Sequence, residues 1–261
     1  RALNDAWVSA DGRIEDDTQT CYAMALYMGL LPEELEAKAA ARLVELIEEN
    51  DWHLSTGFLG VKHLMPALSE HGHADVAFRL LTNTTYPSWG YEVVNEATTI
   101  WERWNSYTKE GGLHEPGMNS FSHYAFGSVC EWMFAYMAGI DTLAPGYEKI
   151  LIRPRPGGHG ITHTKADYKS IRGLVSSEWK IADGKIDLAV TVPANTTATV
   201  YVPTSDAGSV TESDTPAAEA EGIEFLRAED GNAVYRVGSG DYRFAAKQEG
   251  VRPVDPDRTD S

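Results

Sequence analysis

The sequence predicts an α+β chain of two domains, a helical one followed by an antiparallel β-sandwich, and three observations carry this. Apolar residues recur with helical spacing from Thr18 to about Gly139, they alternate with a period of two from Lys149 onward, and Leu143-Ala144-Pro145-Gly146 separates the two patterns. The boundaries that follow are 1–144 for the helical domain, 145–246 for the sandwich and 247–261 for a charged, apolar-poor tail that frays.

The helical elements follow in chain order. Tyr22, Ala25, Leu26, Gly29 and Leu30 set one apolar face. Pro32 opens the next helix where a first turn tolerates proline, Glu33 and Glu34 suit its positive end, and Leu35, Ala39, Leu43, Leu46 and Ile47 form its stripe. Its other face, with Glu36, Arg42, Glu45 and Glu49, belongs in water. Two shorter helices span about Gly57 to Ser69 and His73 to Leu81, separated by Glu70-His71-Gly72. Tyr86 to Gly117 reads as loop, rich in Pro, Gly and aromatics without a sustained period. The last helix begins at Asn119 or Ser120, both good N-caps, runs through Trp132 and Tyr136 and stops at Gly139.

Strands are read at Lys149 to Arg153, Gly173 to Ile181, Lys185 to Val192, Ala198 to Val202, Ala233 to Val237 and Tyr242 to Ala245. Asp183-Gly184 and Asp230-Gly231 are hairpin turns, because both residues tolerate the left-handed backbone that a tight antiparallel turn requires.

Composition narrows the function. The chain carries 39 acidic against 22 basic side chains, a formal charge of −17, which disfavours nucleic acid phosphates and anionic membrane surfaces as partners. No run of about 18 apolar residues occurs, and the first residues lack the charged-then-apolar order of a signal peptide. Compartment stays open. The opening at Arg1, without an initiator methionine, is expected of a processed product or a piece of a longer protein. Two cysteines, Cys21 and Cys130, both in helical patterns, provide no disulfide framework. The eight histidines include His71 and His73 beside Gly72, but no HExxH, CxxC pair or Asp-rich calcium loop is present, so neither a metal nor any other cofactor is expected. Gly157-Gly158-His159-Gly160 is a turn, not a phosphate loop.

Candidate chemistry concentrates in the aromatic segment. Tyr86, Trp89, Tyr91, Trp101 and Trp104 fall close to Glu92, Glu96, Glu102 and Arg103. Flat rings suit the apolar faces of sugars, and carboxylates suit hydroxyl recognition and proton transfer; the same rings would equally plug the mouth of a helical domain. Glu102 lies between Trp101 and Trp104, where apolar walls would raise its pKa and Arg103 would lower it, or else it simply pairs with Arg103 at a helix start. His123, expected in the first turn of the last helix, is either a ligand or a structural histidine.

These residues resemble a family. Ser55-Thr56-Gly57-Phe58-Leu59-Gly60, Tyr86-Pro87-Ser88-Trp89-Gly90-Tyr91, Ala97-Thr98-Thr99-Ile100-Trp101-Glu102-Arg103-Trp104 and Met118-Asn119-Ser120-Phe121-Ser122-His123-Tyr124-Ala125-Phe126-Gly127 look like successive landmarks of the bacterial α-L-rhamnosidases of glycoside hydrolase family 78. Ile150-Leu151-Ile152-Arg153-Pro154 and Asn195-Thr196-Thr197-Ala198-Thr199-Val200 resemble the C-terminal β-domain of the same enzymes, so the resemblance covers most of the chain.

The resemblance implies the C-terminal part of an (α/α)6 barrel followed by the sandwich, and hydrolysis of terminal α-L-rhamnose from a rhamnose-containing oligosaccharide or glycoside, with inversion. It makes Glu102 the general base, activating a water opposite a partner acid roughly 6.5–9.5 Å away. It makes His123 a substrate-binding histidine, and Trp89, Tyr91, Trp101 and Trp104 the aromatic wall around the sugar. Two departures stand out. Where the family has glycine before Ala-Thr-Thr, this chain has Glu96 after Asn95, read as an altered loop tip. The family's acid lies in the first half of the barrel, so the rest of the catalytic domain upstream is an expected partner and the chain alone is expected to be a poor hydrolase. A related (α/α)6 hydrolase or phosphorylase, and a non-catalytic carbohydrate-binding module, are the competing readings.

Overall fold

The computed structural model describes residues 2–248, in two compact units that divide between Trp132 and Met133. The helical unit contains α1 (Ala2–Trp7), α2 (Gln19–Tyr27), α3 (Glu33–Glu49), α4 (Phe58–Glu70), α5 (Ala74–Thr82), α6 (Trp89–Val94) and α7 (Val129–Trp132), with a small hairpin of β1 (Tyr107–Thr108) and β2 (Gly112–Leu113).

Thr18 caps α2, its hydroxyl accepting the Cys21 amide, and the helix buries Tyr22, Ala23, Ala25 and Leu26. Pro32 sits at the N-cap of α3, one residue ahead of the first turn, and the buried stripe is Ala39, Ala40, Leu43 and Ile47. One polar position departs from expectation. Arg42 is not a solvated side chain; it is 12% exposed and binds Asp17 at 2.8 Å, Glu45 at 2.9 Å and Glu49 at 2.7 Å, so three carboxylates compensate its burial. Helix α4 lies against α2 at Gly60, where a Cβ would come within 2.6 Å of Thr20 Oγ1, so only glycine permits this approach. Buried Gln19 ties α2 to α3 and to the segment that follows it, its amide nitrogen donating to the carbonyls of Leu46 and His53 and its oxygen accepting the Ser55 amide. Trp132 closes the core edge-on to Phe78 with its indole N–H on Ser69 Oγ at 2.8 Å.

The span from Tyr86 to Gly117, read as loop, also contains α6 and the β1–β2 hairpin. The last helix starts late. A 3-10 turn spans Ala125–Ser128, α7 follows, and a wide π turn covers Met133–Met137. Asn119 and Ser120 do not cap a helix, because the backbone of Ser120 is already bonded to Glu102.

The second unit packs two sheets. β3 (Ile140–Thr142), β4 (Lys149–Ile152), β8 (Thr197–Pro203), β12 (Asn232–Val237) and β11 (Ile223–Glu229) make one; β5 (His163–Ser170), β6 (Gly173–Ala182), β7 (Lys185–Val192), β13 (Gly240–Lys247), β9 (Thr211–Glu212) and β10 (Thr215–Pro216) make the other. All neighbours are antiparallel except β4 and β8. Ile186, Leu188, Val190 and Val192 alternate inward to meet Val200, Val202, Tyr235 and Phe244 around fully buried Trp179. Residues 133–142 belong to this unit because Trp179 Nε1 donates to the Met137 carbonyl, Ser177 Oγ donates to that of Ala138, and Ile140 pairs with Ile152. The division thus falls ahead of the change in hydrophobic period. Both Asp-Gly turns have two residues at positive φ: 51° and 70° at Asp183-Gly184, 48° and 69° at Asp230-Gly231. Lys247 ends β13, and most of the charged tail, 249–261, lies outside the described residues.

Candidate functional site

The site is built from three stretches of the helical unit. In the first, Ser88 caps α6, its hydroxyl accepting the Tyr91 amide and lying 2.7 Å from the Asn83 and Thr85 carbonyls. This cap presses α6 onto the segment that follows α5 so closely that a Cβ on Gly90 would stand 2.2 Å from the Asn83 oxygen. The C-terminus of α6 closes as a Schellman turn: the Glu96 amide donates to Val93 O and the Ala97 amide to Glu92 O. Glu96, exposed and at φ +63°, occupies the left-handed position where glycine fits best. It is a loop tip, outside the cleft described below.

The second and third stretches run side by side. Glu102 N–H donates to Ser120 O at 2.9 Å, Ser120 N–H donates to Glu102 Oε2 at 2.8 Å, the Thr99 hydroxyl donates to Phe121 O, and His123 N–H donates to Ile100 O at 2.9 Å. Glu102 is thus held through both its main chain and its carboxylate. His123 lies two residues ahead of the 3-10 turn, its Nδ1 accepting the Ala125 amide at 3.3 Å. Arg103 turns to His114, Nη1 to Nδ1 3.4 Å, and Trp101 to Ser106 forms no helix, so a pairing of Glu102 with Arg103 at a helix start is not the arrangement found.

These stretches and the start of α4 line a cleft of about 690 Å³, with Glu102, Trp104, Phe58, Phe126, Tyr86 and Glu115 on its walls among others. Its wall is a chain of aromatic contacts. Trp104 stacks on Phe126 at 3.8 Å and 8°, Phe126 meets Phe58 edge-on at 5.7 Å, and Phe58 stacks on His123 at 4.8 Å.

Of the six residues singled out from the sequence, Glu102 and Trp104 line the cleft directly. Trp89 stands behind Trp104, edge-on at 5.3 Å, with its indole N–H fixed on Phe126 O at 2.9 Å. Trp101 is buried against Phe121 and Tyr107, away from its neighbour Trp104. Tyr91 donates to Tyr107 O at 3.3 Å, and burial raises its phenol pKa. His123 meets the cleft through Phe58. Sequence reading assigned no role to Phe58, Phe126 or Glu115; the ring contacts of the first two arise from segments far apart in the chain, and no local spacing signals them.

Glu92 also went unassigned, although it follows Trp89 by three residues and so shares its inward face. It is 3% exposed, and burial pushes its carboxyl up to about 7, against a smaller downward pull from the Trp101 backbone. Among the described residues, no three His, Cys, Asp or Glu side chains converge as round a metal ion, and no helix is long and apolar enough to cross a membrane.

The family profile of the bacterial α-L-rhamnosidase six-hairpin glycosidase domain matches residues 1–137, and that of the bacterial α-L-rhamnosidase C-terminal domain matches residues 139–216. The chain belongs to the bacterial α-L-rhamnosidase family. An α-L-rhamnosidase of Streptomyces avermitilis is 48% identical over 244 residues, 94% of this chain and 23% of the relative. One from Formosa agariphila is 40% identical over 239 residues, 91% of this chain and 26% of the relative. The chain therefore matches about a quarter of the length of these α-L-rhamnosidases, in their C-terminal portion. Solved structures agree. The S. avermitilis α-L-rhamnosidase complexed with L-rhamnose superposes with a TM-score of 0.87, covering 94% of this chain and 23% of that one. The native Aspergillus terreus α-L-rhamnosidase, 33% identical, gives 0.80 over 93% of this chain and 25% of that one. The fold is accordingly part of a six-hairpin helical barrel followed by a β-sandwich.

Proposed function

We propose that this chain supplies the general base and part of the sugar-binding wall of an inverting α-L-rhamnosidase. The observation that carries this reading is Glu102: a half-buried carboxylate at an aromatic cleft, with Oε2 held by the Ser120 amide. In this reading Oε1 accepts a proton from water as the oxygen attacks the anomeric carbon, and the fixed orientation spares reorganisation during the step. Trp104, backed by Trp89, offers a flat apolar face to the rhamnose ring and its methyl group, with His123, Tyr91 and Trp101 supporting the pocket. The acid that protonates the leaving oxygen comes from the part of the barrel that precedes the matched region in the relatives, so a rhamnose-containing glycoside and that barrel half are the partners. L-Rhamnose bound to the S. avermitilis relative favours this sugar class.

The test is hydrolysis of p-nitrophenyl α-L-rhamnoside by the chain alone and joined to that barrel half. The joined protein should turn over and release the β-anomer first, by proton NMR. Glu102→Gln should lose on the order of a hundredfold to ten thousandfold in kcat. Sugar binding without turnover in the joined protein, or full activity in Glu102→Gln, would overturn the assignment.

A further inference from the structure

The start of α4 lines the cleft but takes no part in the mechanism above. Gly57 has no side chain to cap this 13-residue helix; its carbonyl accepts the amides of Gly60 at 3.1 Å and Val61 at 3.0 Å, and those of Phe58 and Leu59 have no acceptor among the described residues. A second, independent anomaly lies beside them. Thr56 is 3% exposed, and its hydroxyl has no hydrogen-bond partner among the described residues. Its Cβ and Cγ2 are turned to Gly60, each 3.0 Å from where a Cβ on that glycine would stand, which leaves Oγ1 as the branch on the cleft side. A buried hydroxyl without a partner destabilises a fold, and valine, of similar shape, would not carry that penalty. Phe58 adds a ring that is 45% exposed at the same wall.

The chemistry of the lining selects the ligand. The α4 side offers hydrogen-bond donors, whereas the carboxylates of Glu102 and Glu115 only accept and would repel an anion. A polyol, whose hydroxyls both give and accept, matches both kinds of group, and an exposed flat ring suits the apolar face of a sugar. Trp104, beside Glu102, is already given to the rhamnose ring. Phe58 stands two ring contacts further along the wall, through Phe126 at 3.8 Å and 5.7 Å, and a cleft of about 690 Å³ is of the size that buries a ligand larger than one pyranose. We propose that Thr56, the open amide end of α4 and Phe58 form the subsite for the sugar to which the rhamnose is joined, its hydroxyls bonded to the first two and its ring laid on the third. This rests on Glu102 as the base and Trp104 as the rhamnose wall.

The test compares kcat/KM of the joined protein for rutinose and neohesperidose, in which rhamnose is joined to glucose, with that for methyl α-L-rhamnoside, which has no second ring. The parent should prefer at least one disaccharide. Thr56→Val should lower the ratio of that disaccharide to the methyl glycoside about fivefold, the loss of one net hydrogen bond, while Thr56→Ser, which keeps the hydroxyl, should retain it. Phe58→Leu should lower the same ratio by about fivefold, and the ratio cancels any effect on the rhamnose ring passed through His123. The full chain carrying Thr56→Val should unfold at a urea midpoint no lower than the parent's, and Thr56→Ala replaces it if it does not fold. A parent that prefers neither disaccharide, or a Thr56→Val loss shared equally by the methyl glycoside, would overturn the subsite. If the joined protein turns over no rhamnoside, calorimetric titration with the same three sugars replaces the rates. Disaccharide affinity weakened by Thr56→Val, with methyl rhamnoside affinity unchanged, then leaves the subsite standing and rejects Glu102 as the base, and any other result overturns both.

Discussion

Replacing Gly90 by alanine sets two physical expectations against each other. Gly90 lies in the first turn of α6, and helix propensity alone favours alanine by up to about 1 kcal/mol. The contact geometry demands the opposite, because the new Cβ would stand 2.2 Å from Asn83 O and 3.0 Å from Asn83 C. Both atoms are backbone, so no side chain can swing aside, and α6 must lift off the Asn83 segment. Overpacking of this kind costs about 1–3 kcal/mol. The same carbonyl lies 2.7 Å from the Ser88 hydroxyl, whose bond weakens as the gap opens, at about a further 1 kcal/mol. The net expectation is a destabilisation of about 2 kcal/mol. Urea unfolding followed by far-ultraviolet circular dichroism should show a lower midpoint at an unchanged slope, and a thermal midpoint lower by roughly 4–8 °C. A Gly90→Ala protein as stable as the parent would refute the argument that backbone contact, and not conformational freedom, places glycine here.

Other perturbations have definite signs. The Glu92 carboxyl is raised from 4.5 to about 7, so the folded chain retains a proton that the unfolded chain releases; stability should fall as pH rises from about 4.5 to about 7, by no more than about 3 kcal/mol, and level off above. Urea midpoints of the parent and Glu92→Leu should therefore diverge between pH 5 and pH 8, and parallel curves would exclude a buried proton at this residue. Glu96→Gly removes a side chain from the left-handed position of the Schellman turn and should raise stability by about 0.5–1 kcal/mol, read as a higher urea midpoint. Trp104→Ala deletes the parallel stack on Phe126 and the edge contact to Trp89; it should cost about 2–3 kcal/mol of stability and abolish calorimetrically detectable L-rhamnose binding in the joined protein.

What could be read from the sequence was what depends on neighbours in the chain. The stripe of α3 follows from spacing alone, and both Asp-Gly hairpins follow from the φ values those residues tolerate. Glu102 and its aromatic company were visible as a local density of residue types. The rest depended on distance. Asn119 and Ser120 are good cap residues by type, but Ser120 is engaged by Glu102, eighteen positions earlier, so the helix begins later. Helix α6, with six residues, is too short to display a period. The strand His163–Ser170 lies at a sheet edge with mostly exposed side chains, where no apolar alternation is required. Which of the four rings expected to form the aromatic wall faces the cleft is a matter of rotation about each backbone, and of these only Trp104 lines it; the others are claimed by Phe126, Tyr107 and Phe121.

The contact between Glu102 and Ser120 is written in peptide groups on the Ser120 side: an N–H given and a C=O taken, with the hydroxyl left to the Ser122 amide. Nineteen of the twenty amino acids present those same two groups, and proline alone lacks the donor. Position 120 can therefore drift in side chain over evolutionary time without loosening the carboxylate opposite.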